Sequence, residues 1–264
     1  MKLKGSWRVL FTTLLAMLLA LATLSPLSAQ EAASLRDGDS PRDVGIQTEA
    51  PTYAAGRAGF SATDVPVVIP DNDPGGVTST LEIDSQGSIA DLRVHLLVSH
   101  TFVGDLIATL THVDTGTSTV LFDRPGVPAT VSGCNGNDID AVFDDAAAIP
   151  VEDVCPGTVP AIDGSFLPID ALSGFDGENI AGTWTLDVVD ANGLDTGMLD
   201  GWELSVERPV GLQVGIFGAP FGSDWNGDVA AKVYGTGKAD WVGVHRSDGM
   251  VPSVGDLQAY DSVM

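Results

Sequence analysis

Basic residues are scarce. Twelve Lys and Arg stand against 36 Asp and Glu in 264 residues, a net charge of −24. A field of that sign repels nucleic acid and anionic lipid, which argues against both as partners. Histidine is also thin, with four in the chain. No His-x-His or His-Glu-x-x-His spacing occurs, so a zinc centre is not expected. Cysteine is limited to Cys134 and Cys155. Beyond residue 29 there is neither a long apolar run nor a sustained helical period. That argues against a helix bundle, and against a membrane span once the first 29 residues are removed.

Those first residues are the exception. Lys2, Lys4 and Arg8 precede the apolar run VLFTTLLAMLLALATL, and small residues follow up to Ala29. This is the layout of a secretory signal peptide, residues 1–29, and it predicts an extracellular protein. Removing its three positive charges takes the net charge from −24 to −27. Such a charge attracts divalent cations and suits a calcium-rich exterior. In an exported chain the two cysteines are expected to pair. Two free thiols or a metal pair are the alternatives, and neither has neighbouring His or Cys to support it.

What is abundant is Gly (31 residues), Asp and short alternating runs. Residues 30–65 are polar and without period, which reads as a disordered spacer. From Val67 the pattern changes. Leu81 and Ile83 share a face, as do Leu92, Val94, Leu96 and Val98. Leu106, Ala108 and Leu110 follow, then Val120 and Phe122, and finally Trp184, Leu186 and Val188 before Trp202, Leu204 and Val206. Period two with turn residues between the runs predicts half-buried strands of an all-β sandwich over residues 66–208. The last two runs read as antiparallel strands joined by DANGLDTGMLDG, with Trp184 and Trp202 in the core and the loop carboxylates facing outward.

Nucleophilic chemistry finds no support. Ser40 lies in the polar spacer and Ser118 in a turn between strands, with no neighbouring motif to supply a base or an oxyanion hole. No catalytic triad is found, and whether the chain belongs to an enzyme stays open. His95 and His112 lie in strand patterns, which predicts solvent-facing or edge positions; His100 ends a strand. A paired-carboxylate glycosidase is disfavoured because no aromatic-lined cleft is suggested. Carboxylates nevertheless cluster: Asp138, Asp140, Asp144 and Asp145 within eight residues, and Asp187, Asp190, Asp195 and Asp200 around one connection. Loops of Asp, Asn and Gly suit structural calcium, with a solvated acidic surface as the alternative.

Several stretches occur together and in order: IADLRVHLLVSHTFVGDLIATL, VLFDRPG, DIDAVFDDAA and LSGFDGENIAGTWTLDVVDANGLDTGMLDGWELSV. Residues 66–207 thereby resemble the P domain, or P/Homo B domain, that accompanies subtilisin-like proprotein convertases and secreted bacterial serine proteases. The resemblance implies a jelly-roll-like β-sandwich that packs on and stabilises a catalytic domain and is not itself the catalyst. It implies a secreted protease or a surface protein as partner. It places candidate calcium ligands at Asp105, Asp140, Asp144, Asp145, Asp190 and Asp195. In the family a catalytic module precedes this domain. Here only the signal peptide and the spacer precede it, so protease activity does not follow from the chain. Residues 209–264 resemble an FG-GAP or VCBS-like repeat through SDWNGD and GKADWVGVHR, which would add Asp224, Asn226 and Asp228 as calcium ligands; one blade cannot close a propeller. The reading is a secreted, calcium-stabilised, non-catalytic P-domain module associated with serine endopeptidases. A truncated part of a secreted serine endopeptidase and a surface adhesion protein are the alternatives.

Overall fold

Fourteen strands and two short helices are defined in a computed structural model that describes residues 56–218, 225–246 and 252–264. The signal peptide, residues 30–55 of the spacer, Ser40 and Asp224 lie outside the described residues. Among the described residues no helix is long and apolar enough to cross a membrane. The strands are β1 (Arg57–Ser61), β2 (Val67–Ile69), β3 (Val77–Ile83), β4 (Gln86–Gly87), β5 (Asp91–His100), β6 (Leu106–His112) and β7 (Thr117–Asp123). They continue as β8 (Ile139–Phe143), β9 (Ile162–Phe166), β10 (Gly182–Asp190) and β11 (Gly197–Glu207), then β12 (Gln213–Gly218), α1 (Asn226–Tyr234), β13 (Trp241–Arg246), α2 (Val254–Gln258) and β14 (Ser262–Val263).

Two sheets make an all-β sandwich. One has the order β1-β11-β5-β8-β9, with β2 also on β11; the other runs β3-β10-β6-β7. Their inward residues share one core. Leu92, Val94, Leu96 and Val98 of β5 and Leu106, Ala108 and Leu110 of β6 are each at most 2% exposed. Trp184 and Trp202 are buried in the same core, their indole nitrogens donating to Ile180 O at 2.9 Å and to Ser79 Oγ at 2.7 Å. Each Trp needs such a partner because a buried N–H left unpaired would cost free energy. Cys134 and Cys155 are bridged. Closing that loop stabilises the fold by roughly 3 kcal/mol in the chain-entropy account.

Two bulges repair the alternation where the sequence breaks it. In β11 the register shifts between Leu199 and Gly201, so Leu199 and Trp202, of opposite parity, both point inward. In β7 the shift across Leu121 buries Leu121 and Phe122 together and leaves Val120 half-exposed. An extra residue in one strand turns all the following side chains over.

Four expectations are corrected. The strands β10 and β11 are not a hairpin. Trp184 pairs with Leu81 and His112, Trp202 with Leu96, so the connection 191–196 carries the chain from one sheet to the other. The spacer gives up its last residues to the sandwich, since β1 pairs with β11 and Arg57 bridges Asp91 at 2.7 Å and Glu207 at 3.3 Å. His112 is not at an edge; it is 1% exposed and stacked on Trp184 with ring centroids 4.2 Å apart. The described residues of the tail do not form the antiparallel strands of a propeller blade. Strands β12 and β13 are parallel with α1 between them, and β13 adds antiparallel to β4 of the sandwich region. Parallel neighbours need a crossover, and α1 supplies it.

Candidate functional site

The connection between sheets gathers the buried polar groups. Strand β10 ends at Asp190, opposite Leu106, and a single 3-10 turn, Val103–Asp105, leads into β6. Strand β5 ends at His100, opposite Gly197 at the start of β11. A Cβ on residue 197 would lie 2.4 Å from the His100 ring, so glycine there lets the imidazole lie against the neighbouring strand.

From that position His100 reaches across the sandwich. Its Nε2 lies 3.2 Å from Asp190 Oδ2, and both side chains are fully buried. On its other side the ring packs against Phe102, with Nδ1 3.0 Å from the carbonyl oxygen and 3.1 Å from the backbone nitrogen of that residue. Asp190 Oδ1 accepts the N–H of Asn192 at 3.2 Å, and the Asn192 side-chain amide donates to Asp105 Oδ1 at 2.6 Å. Asp105 is 4% exposed and its carbonyl accepts from Ala191 at 2.9 Å. Burial is the main reason the Asp190 carboxyl is held above its ordinary range. The Asn192 N–H and His100 oppose the rise, and the Asp105 charge adds to it. An open depression of about 460 Å³ lies beside the pair, lined by Asn72, Pro74, Ile107, Val189, Asp190 and Ala191.

Of the residues expected to bind calcium, Asp105 and Asp190 come together, joined by Asn192. The others are dispersed. Asp140 pairs with His95 at 2.8 Å on the outer sheet face. Asp144 takes Arg93 at 2.7 Å and its own turn N–H from Ala146 at 2.8 Å. Asp145 caps the 3-10 helix Leu172–Phe175, accepting from Leu172 and Ser173, both at 2.8 Å. Asp195 accepts from Thr101 Oγ1 at 2.8 Å. Asn226 and Asp228 lie in the first turn of α1 and not in an open loop. Among the described residues no three His, Cys, Asp or Glu side chains are arranged so as to hold a metal ion. Most of these carboxylates are engaged as acceptors for backbone or hydroxyl donors, which is how an isolated buried or half-buried Asp is satisfied. Asp105 and Asp190 carry carboxylate oxygens of the kind calcium takes, while Asn192 presents its amide nitrogen to Asp105.

His95, His100 and His112 face Asp140, Asp190 and Glu178. Ser118 lies on β7 with its hydroxyl 3.0 Å from Thr111 Oγ1. The ring nitrogens of His95, His100 and His112 have carboxylate and backbone groups as their hydrogen-bond partners.

The family model of the proprotein convertase P-domain matches residues 161–206. The matched segment runs from β9 through β10, the crossover 191–196 and nearly all of β11, and so contains Asp190 and Asn192. No curated protein is significantly similar to the chain. Among solved structures, the serine protease of Aeromonas sobria in complex with the ORF2 chaperone is 16% identical, with 57% of this chain and 26% of that one covered at a TM-score of 0.35. The Aeromonas sobria serine protease alone is 15% identical over the same shares, with a TM-score of 0.34. The infectious bursal disease virus Gt strain structure is 18% identical, covering 64% and 37%, with a TM-score of 0.27. The chain thus spans about a quarter of the Aeromonas protease it matches.

Proposed function

We propose that this chain is a secreted, non-catalytic P-domain module that serves a subtilisin-like serine endopeptidase or another extracellular protein as an accessory domain. The observation that carries the reading is the P-domain match over residues 161–206, seated on an all-β sandwich. Signal-peptide patterning of residues 1–29 and the paired cysteines support export. The commitment of His95, His100 and His112 to carboxylates, with Ser118 on an exposed strand face, supports a role other than peptide-bond cleavage. A casein zymogram of the purified chain tests this. No cleared band is expected; a band abolished by a serine-directed inhibitor overturns the reading.

Calcium is the proposed stabilising ion, held by Asp105, Asp190 and the amide oxygen of Asn192, for which the Asn192 side chain turns its oxygen toward the pair. An ion that binds only the folded state raises its stability. Addition of a calcium chelator is expected to lower the melting temperature of the parent chain and to leave that of Asp105→Asn unchanged. An equal melting temperature for the parent with and without chelator rejects calcium at this end of the sandwich.

A further inference from the structure

A second polar site lies away from the crossover, where the C-terminal strands meet the sandwich. Strand β13 joins β4 in register Trp241↔Gly87, and Trp241 is fully buried in the sandwich core. Beside it lies a small cavity of about 20 Å³, lined among others by Arg57, Ser85, Arg208, Trp241, His245 and Tyr260. That volume suits a single water-sized occupant.

Buried donors and one buried positive charge stand among the groups that line the cavity. Arg208 is only 9% exposed. One of its terminal nitrogens donates to Ala259 O at 3.3 Å, and the guanidinium lies 5.5 Å from the Tyr260 ring centroid. Its Nε is buried without a partner, and no carboxylate lies within ion-pair distance of it among the described residues. Trp241 Nε1 is likewise buried without a partner. Ser85, 3% exposed, accepts the N–H of Val244 at 3.0 Å and so keeps its own hydroxyl proton to donate. Arg57, the other guanidinium, is already matched by Asp91 and Glu207.

A guanidinium cannot shed its proton, so a buried, unpaired one leaves a charge to be compensated. A water molecule can accept from these donors but leaves the guanidinium charge uncompensated. A monatomic anion brings only acceptor capacity and the missing charge, and it fits the volume. We infer that this cavity is a halide site, in which Arg208, Trp241 Nε1 and the Ser85 hydroxyl hold one chloride ion and fasten β13 to the sandwich. The site selects for size and charge within a chain whose net charge of −24 repels anions in general. It is independent of the calcium reading.

Two measurements on the purified full chain test it, both in chelator so that calcium plays no part. Crystals grown in bromide should show an anomalous peak beside Arg208. Melting at constant ionic strength should give a higher temperature in sodium chloride than in sodium gluconate, whose anion is too large to enter, and the difference should vanish in Arg208→Gln. Trp241→Phe keeps the ring and removes one donor, which guards against a glutamine variant that does not fold. It should weaken halide affinity by about tenfold, the loss expected when one hydrogen bond to a charged ligand is removed. A cavity without an anomalous peak overturns the inference and leaves a buried water only. A chloride-over-gluconate difference of the same size in Arg208→Gln, or an unchanged halide affinity in Trp241→Phe, overturns it as well.

Discussion

His100 of one sheet and Asp190 of the other meet across the sandwich, Nε2 to Oδ2 at 3.2 Å, with no solvent exposure on either side chain. The contact pins the two sheets together where the chain passes between them. It also places an ionisable carboxyl in a dry site, and this has a consequence for pH.

Asp190 is held above its ordinary range chiefly by burial, so the folded chain keeps this proton to higher pH than the unfolded chain does. Folded protein then binds more protons than unfolded protein between about pH 4 and the raised value, and stability falls as pH rises through that window. In Asp190→Asn the group is absent. With chelator present, the parent is expected to lose stability relative to Asp190→Asn as pH climbs from about 4. Parallel pH profiles for the two proteins, measured by urea denaturation, would refute the assignment.

Glu178 has the opposite sign. Burial pushes its carboxyl up, but hydrogen bonds from Thr117, His112 and Thr115 outweigh this, and the net shift is downward. Its contribution is therefore present above the unfolded value, about 4.3, and is lost as pH falls through the lower folded value. Glu178→Gln is expected to cost about 1–3 kcal/mol at neutral pH and to lose little more on acidification. An acid-unfolding midpoint with the full steepness of the parent would count against it.

Trp202 fills the core beneath Leu96 and donates to Ser79 Oγ. Trp202→Ala is expected to cost roughly 3–5 kcal/mol, from lost transfer free energy and the cavity left behind. Trp202→Phe keeps most of the volume, leaves the buried Ser79 hydroxyl without its donor, and should cost less. Equal stability of the alanine variant and the parent in denaturant titration would exclude this packing role.

Gly87 tests the seam with the C-terminal strands. Its φ is +155°, and a Cβ would lie 2.3 Å from Cε3 of the buried Trp241 ring. Gly87→Ala should therefore displace the indole and lower the melting temperature, whereas Gly116→Ala, with open space around its Cβ, shows what positive φ alone costs. Equal effects at the two sites would mean that Trp241 is not seated against residue 87.

Much of the sandwich is legible from period two alone. The inward rows of β5, β6, β10 and β11 are those the alternation predicts, and all of them are buried. Alternation reports which face is buried and not which strand lies alongside, so the pair β10 and β11 reads as a hairpin although the two strands belong to different sheets. Strand β1 escapes notice because its small residues Ala58 and Gly59 give no apolar row; Arg57 and its carboxylate partners hold it instead. His112 reads as a polar edge residue because a sequence does not show the Trp184 face on which it stacks. At the candidate calcium site, Asp105 and Asp190 are recognisable as residues but not as neighbours, since 85 positions separate them in the chain and only the register of β10 on β6 joins them. The Arg208 cavity leaves no local signal: its donors come from positions 85, 208 and 241, three separate parts of the chain.

The seating of Trp241 imposes an order on folding during synthesis. The strands that hold the main core end at Glu207, yet a side chain 34 positions later completes it. A nascent chain that has released β11 from the ribosome still lacks this indole, so its core stays open until β13 has also emerged. Assembly of the sandwich is thereby tied to the synthesis of β13, and a proteolytic cut between β11 and β13 before folding would strand the domain with its hydrophobic interior unfinished.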